Sequence, residues 1–476
     1  MLPGVARAGS RFASAKSLGM RRTPFAVPVV IGLVASVLAG QGSGAATAPL
    51  ALGAIVRVTT PGTSLCPAEG EPETAVTAKG IWVAYNDDHQ CPLTPTFDRI
   101  EEVQLIPPQG KPVFIPLTAR SGEIISGDPD LAPAGDGGVY LASLWGETNG
   151  AFDLRILRIS PSLKVTELPT PSLHGANASD DKEFIAVDQT PGSRWRGHLY
   201  IAWVDVVTGD TMFRAWNGKT WADPVTIGKD PLPGDPDVTV GPHGTVAVAF
   251  TGSEGAIVRL SHDGGKTFGS RIVALSGAAP GRTDASCPLR PTVGVRQRAM
   301  MGPRVAFDRA GDLHLVAAIG EFTAGFTTDA PTAALLPTSP AVVQHAVIHG
   351  TSVAHREAIT APSTDEQWAA ALAPLPRGGV AVSWLQTNGT GYATYDAWIA
   401  VQRPGSRAFT APQKLSTASS NFPAATEAAG NSNCYGIGDY IGMATTKDGV
   451  ETVWPTTDTD TPGVDSDVLV RTAVAH

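Results

Sequence analysis

One pattern returns seven times along the chain and constrains its fold more than any other feature. An acidic or proline-containing start leads into a short apolar strand, a small turn and a second apolar strand. The copies are ETAVTAKGIWVAYND (73–87), DPDLAPAGDGGVYLASLW (128–145), KEFIAVDQTPGSRWRGHLYIAWVD (182–205), PDVTVGPHGTVAVAF (236–250), PRVAFDRAGDLHLVAAIG (303–320), EQWAAALAPLPRGGVAVSW (366–384) and DYIGMATTKDGVETVW (439–454). Their starts lie 55, 54, 54, 67, 63 and 73 residues apart. A period of that size with strand-like content alone predicts a β-propeller.

Each repeat has room for two more strands, such as GAIVRLS and SRIVAL in the fourth, TMFRAW and DPVTIG in the third, and DAWIAVQ and APQKLS in the sixth. The seventh stops after its third strand, SDVLVRTAV (466–474), while GAIVRVTT (53–60) belongs to no repeat. Pairing these two completes the last blade and removes two sheet edges. The expectation is an all-β, seven-bladed propeller over 49–476, closed by an N-terminal strand, with six blades as the alternative if the first repeat is irregular. The 52 glycines, 39 prolines and only 17% charged residues suit many short strands joined by turns. Trp203, Trp384 and Trp454 end second strands and read as blade packing.

Residues 1–48 follow another plan. Arg7, Arg11, Lys16, Arg21 and Arg22 precede the apolar run FAVPVVIGLVASVL (25–38), and small residues follow. This is the layout of a secretory signal peptide, with cleavage expected near Ala45 or Ala48. Fourteen apolar residues with an internal proline are short for a membrane span. The segment holds five of the 35 basic residues and none of the 44 acids, so the mature chain has 30 against 44 and a net charge of −14. An acidic, exported chain is a poor partner for nucleic acid or anionic membranes, and a secreted monomer is expected.

The ten histidines form no HxH or HExxH pattern, so the sequence offers no zinc motif. Cys66, Cys91, Cys287 and Cys434 are an even set in an exported chain, which implies two disulfides with three possible pairings. Cys66 with Cys91 closes the shortest loop.

The stretch SHDGGKTF (261–268) reads as a hairpin turn: Asp263 accepts from its own turn's amides and the glycines allow positive φ. Ser261, Asp263, Gly265, Thr267 and Phe268 also match the Asp-box, Ser-x-Asp-x-Gly-x-Thr-Phe. Together with KEFIAVDQTPGS…GHLYIAWVD and GDYIGMATTKDGVETVW, this motif makes the chain resemble the sialidase superfamily of BNR-repeat propellers over nearly its whole mature length. The resemblance implies that the Asp-box is structural and lies opposite the active face.

In a propeller the innermost strands begin beside the axis, on the face away from such turns. Those starts are acidic here: Asp128, Asp130, Glu183, Asp235, Asp237, Asp365, Glu366 and Asp439, with Arg304 and Tyr440 among them. The resemblance implies a carbohydrate site, and in its catalytic form an exo-acting glycoside hydrolase without a required cofactor. Arg290, Arg304 and Arg356 then grip a substrate carboxylate. Tyr435 or Tyr440 attacks with Glu427 or Asp439 as its partner, and Asp128 or Asp130 protonates the leaving group. Glu183, Asp237 and Asp365 complete the substrate contacts. The family's Phe/Tyr-Arg-Ile-Pro string is absent, its nearest counterpart VFIP (113–116) having no arginine. A non-catalytic propeller binding a glycan or protein is therefore the alternative. Aspartates in Asp-Pro and Gly-Asp turns also cap backbone amides, and Ca²⁺ is a further candidate occupant of such a cluster.

Overall fold

Apolar residues run without alternation through the second strands Val246–Gly252, Leu199–Asp205 and Leu313–Ile319, and all residues of these strands are buried. A strand of that kind is covered on both faces. The computed structural model describes residues 49–59, 70–86, 101–147, 151–174, 179–229, 236–277, 302–320, 322–325, 334–337, 340–361, 365–389, 394–421, 438–457 and 466–475. Within them, seven antiparallel sheets of at least four strands follow one another as the blades of a propeller.

The inner strands of the blades are, in order, Gly70–Thr77, Glu123–Pro133, Asp180–Val187, Asp237–Val240, Arg304–Phe307, Gln367–Pro374 and Gly442–Thr445. Blade 7 is completed by Ala51–Arg57, which pairs antiparallel with Ser466–Val474. The first repeat is regular and forms four strands, beginning at Gly70 rather than at Glu73. Blade 5 carries an extra hairpin, Phe322–Gly325 with Ala334–Pro337, between its second and third strands.

The core is a ring of clusters between blades. Ala75, Trp82 and Leu105 of blade 1 meet Leu131, Leu141 and Trp145 of blade 2. Val83 and Tyr85 of blade 1 meet Val453, Val468 and Val470 of blade 7, so closure buries apolar surface as well as pairing strands. Trp82, Trp203, Trp384 and Trp454 are fully buried.

The turn at 261–268 is tied together by the side chains of Ser261, Asp263 and Thr267. Ser261 Oγ donates to Asp263 Oδ1 at 2.8 Å, and Gly265 N donates to Ser261 Oγ at 2.9 Å. Lys266 N and Thr267 N donate to Asp263 Oδ1 at 3.0 and 2.9 Å, and Thr267 Oγ1 donates to Oδ2 at 2.6 Å. Partial burial pushes the Asp263 carboxyl up, but hydrogen bonds from Thr267, Ser261 and Lys266 outweigh it and bring the pKa to about 2. Gly264 and Gly265 have φ of 77° and 84°. A Cβ on either would come within 2.4 Å of Trp195 or Phe213 of blade 3, so the turn rests directly on its neighbour. Phe268 meets Phe213 edge-on at 4.9 Å.

Candidate functional site: the charged axis

One backbone device recurs where the inner strands reach the axis. Glu71, Asp128, Lys182 and Ala369 all have positive φ, between 50° and 57°, although none is glycine. Each sits at a break in the register with the second strand, between Gly70 and Glu73, Gly127 and Asp130, Asp181 and Phe184, and Trp368 and Ala371. A bulge inserts a residue and re-aims the side chains around it. The equivalent residue in blade 7 is Gly438, with φ of 90°. A Cβ there would lie 2.5 Å from the Glu71 backbone, so blades 7 and 1 can meet only at a glycine. The tripeptides so aligned are Glu71-Pro72-Glu73, Asp128-Pro129-Asp130, Lys182-Glu183-Phe184 and Gly438-Asp439-Tyr440, and their side chains form two charged layers.

The outer layer centres on Lys182, which is 1% exposed. Its Nζ lies 2.8 Å from Asp128 Oδ2, 3.0 Å from Asp439 Oδ2 and 3.3 Å from Glu71 Oε1. Burial pulls the Lys182 pKa down, but the carboxylates of Asp128, Glu71 and Asp439 reverse this and hold it well above the ordinary value. Glu71 also accepts from Asn86 Nδ2 at 2.8 Å and from Asp439 N at 3.1 Å. Burial, reinforced by Asp128 and Asp439, pushes its carboxyl well up. Glu183 is 1% exposed, and neither carboxylate oxygen meets a hydrogen-bond partner elsewhere among the described residues. Burial and the nearby Asp128 raise its pKa strongly.

The inner layer centres on Arg304. Its guanidinium carbon lies 3.9 Å from the Phe184 ring centre and 5.2 Å from that of Tyr440, and Nη2 donates to Glu73 Oε1 at 2.8 Å. Asp130 accepts from Leu131 N at 2.8 Å and from Ile185 N of blade 3 at 2.6 Å. Asp237 repeats this arrangement, accepting from Val238 N and from Val305 N of blade 5 at 2.7 Å each. These two aspartates cap amides, and each also ties one blade to the next. Burial pushes Asp130 up to about 7 and Asp237 up to about 6, against those hydrogen bonds and the Arg304 charge. Glu73 is likewise raised well above the usual range by burial, despite its Arg304 partner. The Tyr440 hydroxyl donates to Pro129 O at 3.1 Å, and burial followed by the surrounding acids raises its pKa well above 10.

A cavity of about 310 Å³ extends from this inner layer along the axis. Glu73, Asp130, Asp237 and Arg304 line one end, and Val76, Pro133, Pro374 and Thr445, at the far ends of inner strands, line the other. The acids thus gather where the strands start, and the void runs from them toward the strand ends.

The structure brings together Asp128, Asp130, Glu183, Asp237, Arg304, Asp439 and Tyr440 from the sequence analysis. It keeps two others apart from them. Arg356 lies on Ser352–Ala358 of blade 5 and donates to Ala274 O at 2.6 Å and Val273 O at 2.9 Å, fastening the outer strands of blades 4 and 5. Asp365 accepts from Gly389 N at 2.8 Å within blade 6. Arg290, Glu427, Tyr435 and the four cysteines lie outside the described residues. Sequence reasoning missed Glu71, Glu73, Lys182 and Phe184. Glu71-Pro72-Glu73 repeats the spacing of Asp128-Pro129-Asp130, a signal hidden by starting the first repeat at Glu73. Among the described residues, no group of three or more His, Cys, Asp or Glu side chains is arranged to hold a metal.

Fold and site together define the class: a seven-bladed β-propeller with a buried, acid-rich axis. No protein-family model matches the chain, and no curated protein matches it in sequence. Among solved structures it is similar to the Penicillium chrysogenum alpha-L-arabinanase complexed with arabinobiose, at 10% identity and a TM-score of 0.43 over 88% of this chain and 98% of that one. A Hadza microbial sialidase matches at 13% identity and 0.40 over 78% and 73%, and the phage phi92 endosialidase at 7% and 0.45 over 89% and 69%. At these scores the likeness lies in the course of the chain, and no activity is drawn from it.

Proposed function

We propose that the protein is an exported, sialidase-like propeller that receives a carbohydrate in its axial cavity, and that this sugar is neutral. The observation that carries this reading is the wall around Arg304. One edge of the guanidinium is committed to Glu73, its face is stacked on Phe184, and Asp130 and Asp237 stand beside it with raised pKa values. A carboxyl that burial holds near neutrality, as at Asp130, exchanges between accepting and donating forms, which matches the hydroxyls of a neutral sugar. A substrate carboxylate calls instead for several arginines, and Arg304 stands alone in the cavity wall among the described residues. The volume falls at the small end of ordinary ligand sites, which run from ~300 Å³.

A second reading, glycoside hydrolysis, is supported by Asp130, whose pKa of about 7 meets the requirement for a general acid. Its two backbone hydrogen bonds favour the binding role over it. The test is calorimetric titration with a panel of neutral and anionic saccharides, beside hydrolysis of the matching chromogenic glycosides. Binding of a neutral sugar that weakens at least tenfold in Arg304→Gln is expected. Tight binding of sialosides alone, or neutral-sugar binding unchanged in Arg304→Gln, overturns the proposal. Turnover abolished by Asp130→Asn moves the assignment to the hydrolase.

A further inference from the structure

Three of the ten histidines gather outside the axial cluster, on the side of blade 5 that faces blade 6. His314 lies on Leu313–Ile319, His345 on Val342–His349, and His355 and Glu357 on Ser352–Ala358. In the ladder Val316 pairs with His345 and His345 with Glu357, so these side chains are direct or diagonal neighbours on one face. His349 sits apart from the chain they form, paired with Asp312 at 2.5 Å.

The contacts fix the protons. Glu357 Oε1 lies 3.3 Å from His345 Nδ1, and the carboxylate can only accept, so His345 Nδ1 carries a proton. Neutral His345 then presents a bare Nε2, 2.9 Å from His314 Nδ1, which must donate. Neutral His314 is left with a bare Nε2, which has no hydrogen-bond partner and lies 3.7 Å from Asp308 Oδ2. The two rings are stacked, with centres 5.1 Å apart and planes at 19°. His345 is wholly buried and His314 is 4% exposed.

We propose that the His314–His345 pair is a one-proton acid latch on the seam between blades 5 and 6. A first proton enters at His314 Nε2, where the Asp308 carboxylate awaits it, and leaves the stack intact. A second proton has only His345 Nε2 to occupy, and there it would set two N–H groups against each other at the 2.9 Å contact. The rings must then part. Burial, followed by the charges of His314 and His355, already depresses His345 to about 3. The seam depends on the same groups. Gln402 Nε2 of blade 6 donates to Glu357 Oε1 at 3.2 Å, and Phe409 meets the His345 ring edge-on at 5.0 Å. His355 Nε2, 3.6 Å from Glu357, the Asp312–His349 pair of blade 5, and Arg403 and Arg407 of blade 6 are the other charged or titratable neighbours. A cavity of about 260 Å³ lies alongside, lined by Asp308, His314, His355, Gln402 and Arg403, and offers the parted rings room and water.

The test is hydrogen exchange by mass spectrometry on the whole protein at pH 7 and pH 4, corrected for intrinsic rates, with histidine C2 exchange read from the same peptides. Protection over 342–358 and 396–409 is expected to fall at least tenfold at pH 4 while blades 1 to 3 keep theirs, and His345→Phe is expected to retain it. His345 should titrate at least two pH units below an ordinary imidazole, ~6.5. Seam protection unchanged at pH 4, loss spread equally over all blades, or His345 titrating at ~6.5 overturns the latch. Should His345→Phe fail to fold, the C2 titration of the native protein still decides.

Discussion

The axis and the blade 5 histidines are both buried clusters of ionisable groups, and they respond to pH in opposite senses. At the axis, Glu71, Glu73, Asp130, Glu183 and Asp237 have raised pKa values because Lys182 and Arg304 are too few to offset their burial. The folded protein therefore keeps protons that the unfolded chain releases above an ordinary carboxyl pKa of ~4. That contribution to stability is present in acid and is lost as pH rises through about 6 to 7. At the seam, His345 is depressed to about 3. The unfolded chain takes a proton near ~6.5 that the folded one refuses, so stability there is lost as pH falls below that value. Between pH ~4 and ~6.5 the two clusters therefore pull the pH dependence of stability in opposite directions.

The strongest way to break this comparison is Lys182→Met, which leaves Glu71, Asp128 and Asp439 around an apolar side chain. A loss of about 3–5 kcal/mol is expected at pH 7.5 by denaturant unfolding. The loss should shrink at pH 5 as Glu71, whose carboxyl burial raises, takes a proton, and a loss that is constant with pH would show that Lys182 acts by packing. Next comes Asp130→Asn combined with Asp237→Asn. An amide oxygen serves the two backbone donors less well, so about 1–3 kcal/mol should be lost at pH 5. The gap to the native protein should narrow at pH 8, seen as a flatter dependence of Tm on pH. His345→Phe probes the other limb. Its Tm should decline less steeply than the native Tm between pH 6.5 and 4, with the neutral value within a few degrees. The smallest change is Asp263→Ala, expected to cost about 1 kcal/mol through its lost hydrogen bonds. It should leave sugar binding and the pH 5–8 profile untouched, because that carboxyl, held near 2, contributes fully over the whole range.

The Ser261–Phe268 turn and the axis also differ in how far the sequence reveals them. Every partner of Asp263 lies within four residues, so the motif could be read as a finished structure. The acids at the axis were visible as strand starts, but their meaning was not. Asp130 and Asp237 serve as ties between blades, which required knowing that Ile185 N and Val305 N arrive beside them. Lys182 lay inside a recognised repeat and still passed unnoticed, since a single lysine among polar residues reads as surface. Its partner Glu71 is 111 residues away in the chain. Arg356 shows the reverse error: a suitable residue type in a plausible segment proved to fasten two outer strands.

The sequence alone determined the repeat, favoured seven blades over six, and pointed to closure by the strand at 53–60. Strand periodicity, turn chemistry and a missing fourth strand are local properties that hold wherever the segment lies. Only the tertiary structure decided which charges share the axis, which carboxyls burial pushes up, and which histidine faces which. Those outcomes depend on burial and on distances of about 3 Å between residues from different blades, and a linear sequence specifies neither until the ring has closed.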